Sequence, residues 1–155
     1  MNDTIAFLFS NQILNAGLLA WLTAQVIKLI YYFICHREIR LERLKGAGGM
    51  PSSHSATVCA MVVATGRYCG ISSPTFAIAA VLSIIVMYDA MGVRYETGEQ
   101  AKVLNRLFTE WMDQGIEQFQ FPHGKKLKEM VGHTPIEVLT GAALGIVLGF
   151  VMPMV

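Results

Sequence analysis

The chain has 155 residues, of which 54% are hydrophobic and 15% charged, and it carries a net charge of +1. Soluble domains carry about 25% charged residues, so this composition argues against disorder, a nucleic-acid-binding arm or a soluble secreted scaffold. Mean hydropathy is +0.47, and long stretches carry almost no charge.

A bilayer core of about 30 Å needs around 20 mostly apolar residues in a helix. The first such stretch runs over residues 13–35 and contains one charge, Lys28. The second covers 55–70, is short and is interrupted by Arg67. The third covers 74–92 and meets Asp89 only near its end; the fourth covers 135–154, with Glu137 in its first turn. The pattern predicts an all-α, polytopic membrane bundle of about four spans, with the whole chain as one domain. Met1-Asn2-Asp3-Thr4 offers no basic n-region, so the first stretch reads as a retained span.

The polar segment 36–53 carries Arg37, Arg40, Arg43 and Lys45; the polar segment 93–134 carries Arg94, Lys102, Arg106, Lys125, Lys126 and Lys128. The other loop and the tails carry no Lys or Arg, so both polar segments are expected in the cytoplasm and both termini outside a cell (inner) membrane. Arg67 is expected to snorkel to the outer surface. Within the second polar segment, residues 98–118 read as an amphipathic surface helix. Ala101, Leu104, Phe108, Trp111 and Met112 share one face, packed on the membrane or a partner; residues 119–128 read as a mobile loop. Cys35, Cys59 and Cys69 lack metal-ligand or disulfide spacing and read as small buried hydrophobes.

Four candidate sites fall near the cytoplasmic ends of these spans. Lys28 either snorkels, or faces the bundle and pairs with Asp89 or an anionic headgroup. Gly46-Ala47-Gly48-Gly49-Met50-Pro51-Ser52-Ser53-His54 is a glycine-rich run into a helix start. Such a start offers N–H groups and a positive dipole end to an anion, with His54 one turn in as a proton donor or acceptor. A capped helix with an incidental histidine is the alternative. Asp89 and Arg94 form either a structural ion pair or, through Arg94, a fork for phosphate oxygens. Asp89 has no second carboxylate at obvious metal-ligand spacing. Gly132-His133-Thr134-Pro135-Ile136-Glu137 contains a capping box, Thr134 to Glu137. Glu137, four residues past His133, could also fix the imidazole tautomer and leave the other nitrogen as a nucleophile.

The blocks at 48–56 (GGMPSSHSA), 87–94 (MYDAMGVR), 100–105 (QAKVLN) and 132–141 (GHTPIEVLTG) resemble the divergent type 2 phosphatidic acid phosphatase family, also described as acid phosphatase/vanadium-dependent haloperoxidase-related membrane proteins. The match includes Ala24, Gln25 and Lys28, and extends over nearly the whole chain. The resemblance implies the wider superfamily's scheme, in which a histidine becomes phosphorylated, an acid orients it and a second histidine protonates the leaving group. Pro51-Ser52-Ser53-His54 is similar to the superfamily motif P-S-G-H, and His133 with Glu137 to H-x3-D. The K-x6-R-P motif and the S-R pair are absent, which leaves Lys28 and Arg94 as replacement cations.

The expected function is therefore hydrolysis of a lipid phosphate or diphosphate through a phosphohistidine. His133 is the nucleophile, Glu137 its orienting acid and His54 the proton donor. Ser52, Ser53, Arg94 and Lys28 hold the phosphate; Asp89, Gln100 and Asn105 support. No metal, cofactor or nucleic acid is expected, and a homodimer is plausible because four spans make a thin bundle. The alternatives are a non-catalytic membrane protein that binds anionic lipid or a partner subunit and, more remotely, a small transporter subunit suggested by Lys28 and Asp89.

Overall fold

The computed structural model describes residues 10–37, 49–115, 121 and 125–153. Among these, five helices and no strands appear: α1 (Gln12–His36), α2 (Ser53–Cys69), α3 (Pro74–Met91), α4 (Val93–Asp113) and α5 (Pro135–Val151). The predicted all-α membrane architecture holds. Gly46 to Gly48, residues 116–118 of the expected surface helix, residues 119, 120 and 122–124 of the expected 119–128 loop and the ends of the chain lie outside the described residues.

The helix starts follow from local chemistry. Asn11, Ser52, Ser73 and Thr134 each accept a first-turn backbone N–H on the side chain, satisfying donors with no intrahelical acceptor. Pro74 and Pro135 occupy first-turn positions where the missing N–H costs nothing. Gly92 separates α3 from α4. The amphipathic helix thus begins at Val93, five residues before the expected Gly98, because no strong stop signal follows the break.

The interior is built from small residues. Ala20, Ala24, Ala56 and Ala60 form the buried core, with Leu144 and Leu148 packed against it. Leu18, Ile30, Ile78, Ile84, Leu139 and Phe150 point outward. Small inside and large apolar outside inverts a water-soluble bundle and suits a lipid-facing one. Gln12–Cys35 and Pro74–Asp113 are long and apolar enough to cross a bilayer; Pro135–Val151 is apolar but shorter.

Helix α2 is central, packing against α1, α3 and α5. Its contact with α5 is the tightest. A Cβ at Gly141 would lie 2.3 Å from the Ser52 carbonyl oxygen, and one at Gly145 would lie 2.2 Å from that of Ala56. One at Gly149 would lie 2.9 Å from that of Ala60. The register advances by four residues on both helices, so α2 and α5 run parallel, with their N-termini at the same end. At the opposite end Arg67 Nη1 donates to the Gly149, Phe150 and Met152 carbonyls at 2.7–2.8 Å. Arg67 thereby caps the C-terminus of α5, where a cation complements the dipole. Cys59 is buried as expected, whereas Cys35 and Cys69 lie on exposed faces, since only one face of each apolar helix meets the bundle.

Replacing Gly145 by Ala drives a Cβ into backbone that cannot swing away. The expected loss is roughly 1–3 kcal/mol, seen as a lower Tm of the detergent-solubilised protein. Leu139→Ala, on the outward face of the same helix, should leave the Tm unchanged.

Candidate functional site

The parallel packing of α2 and α5 places the Ser52–His54 turn beside the His133–Glu137 turn. Two backbone bonds join the pieces: Ser52 N donates to the Glu137 carbonyl at 2.9 Å, and His133 N donates to the Ala90 carbonyl at the end of α3, at 3.0 Å. The outcome is a pair of imidazoles, His54 and His133, with ring centroids 5.8 Å apart and planes inclined at 69°. Residues separated by almost 80 positions in sequence therefore share one site.

His133 is 1% exposed. Its Nδ1 lies 3.1 Å from Glu137 Oε2, and an ionised carboxylate only accepts, so Nδ1 carries the proton. The same oxygen accepts from Thr134 N at 3.1 Å. Capping and orienting, open alternatives in the sequence, are performed together by one carboxylate. His133 Nε2 and His54 Nδ1 are both buried and have no hydrogen-bond partner. Buried polar atoms are normally satisfied, and two such nitrogens on neighbouring rings make this pair the candidate site.

Lys28 resolves in favour of the bundle. It is 7% exposed, and Nζ donates to Ser53 Oγ at 3.4 Å. Ser52, fully buried, spends its hydroxyl oxygen on Ser55 N and Ser55 Oγ, at 3.4 and 3.1 Å. It is the cap, while Ser53 is the hydroxyl facing the cation. The Ser53 and His54 amides, lying in the first turn, have no intrahelical acceptor.

Arg94 is held by Asp89, Nε to Oδ2 at 2.5 Å, with both side chains about half exposed. The structural ion pair is therefore formed, yet Arg94 remains near enough to act electrostatically on His54. Gln100 is exposed on α4 and stands away from the pair, because its position on the helix turns it outward. Asn105 is buried and bonds to Leu127 and Glu129. A cavity of about 140 Å³, lined by Gly49, Tyr95, Glu99, Lys102, Gly132 and Glu137 among others, adjoins the site on the Glu137 side. Among the described residues no group of three or more His, Cys, Asp or Glu could hold a metal ion.

Burial holds the His133 imidazole below the ordinary histidine range. Lys28 and His54 push the same way, and the Glu137 hydrogen bond opposes them. The ring is therefore neutral at pH 7, with a lone pair on Nε2. The arrangement can present a neutral nitrogen nucleophile, a second imidazole and a buried ammonium to one tetrahedral oxyanion. Reasoning from sequence missed the strap-like segment before His133 and its glycine contacts, which leave no periodic signal.

A family model described as the Divergent PAP2 family matches residues 9–148. The chain is 41% identical over 151 residues to "Uncharacterized membrane protein YuiD" of Bacillus subtilis (strain 168), covering 94% of this chain and 96% of that protein. No solved structure gives a significant match.

Glu137 raises the affinity of His133 for a proton, so removing its charge works in the opposite direction. In Glu137→Gln, which keeps a capping side chain, the His133 titration midpoint followed by NMR should fall further below that of the wild type.

Proposed function

We propose, from the premise that the chain belongs to the Divergent PAP2 family of membrane proteins, that it hydrolyses a lipid phosphate or diphosphate. The observation that carries the reading is the His54–His133 pair with its two unpartnered buried nitrogens.

His133 Nε2 attacks phosphorus in line, forming a P–N bond as the P–O bond to the lipid breaks. His54 gives its proton to the departing oxygen. It then takes a proton from water, whose oxygen attacks phosphorus; the P–N bond breaks and inorganic phosphate leaves. Near-attack geometry requires roughly 3–3.5 Å between reacting atoms; with centroids 5.8 Å apart the rings are in edge contact, so both would reach the phosphate from one side and not enclose it between them. Lys28, Ser53 and the first-turn amides of α2 face the oxygens on which charge accumulates. Arg94 adds field at the mouth and engages oxygens directly once it leaves Asp89. The adjoining cavity of about 140 Å³ is large enough to admit water.

The same reading takes α1, α2, α3 and α5 as four crossings of a cell membrane, with the histidine pair on the cytoplasmic side. Parallel α2 and α5, separated by α3, suit that count.

Purified protein should release phosphate from a panel of lipid phosphates, and His54→Ala and His133→Ala should each lower the rate by at least about 100-fold. Wild-type turnover equal to that of the variants, with phosphate still bound, would favour the non-catalytic alternative. Because His133 must be neutral to attack and its proton affinity is depressed, the acidic limb of the rate profile should lie below the ordinary histidine range. For topology, Ser72→Cys should react with an impermeant maleimide on intact cells, and Lys125→Cys only after permeabilisation, both in a background lacking the native cysteines.

A further inference from the structure

The segment that delivers His133 lies along α4, and its contacts run in order. Asn105 Nδ2 donates to the Leu127 carbonyl at 2.9 Å and to Glu129 Oε1 at 2.8 Å, while Leu127 N donates to Asn105 Oδ1 at 2.8 Å. A Cβ at Gly98 would lie 2.4 Å from the Glu129 carbonyl oxygen, and one at Gly132 would lie 2.2 Å from Tyr95 N. His133 N then reaches the Ala90 carbonyl at 3.0 Å. As the segment advances from 127 to 133, its contacts retreat along the chain from 105 to 98, 95 and 90.

We propose that residues 127–132 form a strap clamped at its far end by Asn105, and that this clamp positions His133 over the site. The side-chain amide of Asn105 has the donor and acceptor needed to hold both backbone groups of Leu127, as a neighbouring strand would. Gly98 and Gly132 let the strap lie directly on the helix backbone. Asn105 touches no reacting group; it acts through the strap. The consequence for catalysis rests on the phosphatase reading, whereas the positioning of the imidazole does not.

Two variants loosen the strap from opposite sides: Asn105→Ala removes the clamp from α4, and Leu127→Pro removes the strap's own N–H without touching any helix. Arg106→Ala, a surface residue of α4, is the control. NMR of isotopically labelled histidine in detergent micelles reads the His133 titration directly. The groups facing that ring are Glu137 on α5, Lys28 on α1 and His54 on α2, and all are unchanged in these variants. The expected result is a rise of the His133 midpoint toward the ordinary histidine range in both variants, as burial is lost, with helicity preserved and the control unshifted. With dioctanoyl phosphatidic acid as probe, kcat should fall at least tenfold while KM stays within twofold. His133 midpoints coinciding with the wild type in folded Asn105→Ala and Leu127→Pro would overturn the strap. A wild type without turnover whose His133 midpoint still rises in both variants would remove the phosphatase reading and leave the strap standing.

Discussion

The backbone contact between α5 and α2 governs everything else in this molecule. Gly141, Gly145 and Gly149 lay a side-chain-free stripe against Ser52, Ala56 and Ala60, so two helices run parallel at a distance no larger residue would allow. In lipid there is little hydrophobic gain from helix association, and close van der Waals packing of small residues takes its place. The parallel arrangement has an electrostatic consequence. Two helix N-termini stand side by side, each with a positive dipole end, and Lys28 lies buried beneath them. Such an end favours negative charge.

The same logic explains the other end of the bundle. There the two helices present carbonyls rather than amides, and Arg67 closes over the last turn of α5. The cation at the carbonyl end is observed, and the proposed anion site lies at the amide end of the same polarity. Asp89 and Arg94 belong to a different level of organisation. Their pair is half exposed, and exposed ion pairs contribute about 0–1 kcal/mol, so Arg94 can be redirected at little cost.

Much of this was legible in the sequence because it is local. Thr134 as a cap, Pro135 beside it, the four-residue spacing of His133 and Glu137, and the apolar stretches all follow from rules acting within a turn or two, whereas Ser52, expected on the phosphate, serves as the cap of α2. The pairing of His54 with His133 came from two helix starts assigned to the same membrane face, and their separation needed coordinates. What escaped were contacts set by helix register. Arg67 capping a helix some 80 residues later, Asn105 bridging to Leu127, and Gly98 lying under the Glu129 carbonyl leave no periodic trace. The expected burial of Cys35 and Cys69 failed for a related reason: an apolar helix in lipid buries only one face, and hydropathy does not say which.

Glu137 is where fold and chemistry become inseparable. A single carboxylate oxygen accepts from the Thr134 amide and lies on His133 Nδ1, while the residue's own carbonyl accepts from Ser52 N across the helix interface. The helix start, the imidazole tautomer and the docking of the α2 turn are therefore fixed by three bonds to one residue. An aspartate at this position would be shorter by one methylene; it would have to choose between reaching the ring and closing the capping box. Glutamate serves both because the box already requires its length. That double use fixes the His133 tautomer and leaves Nε2 without a hydrogen-bond partner.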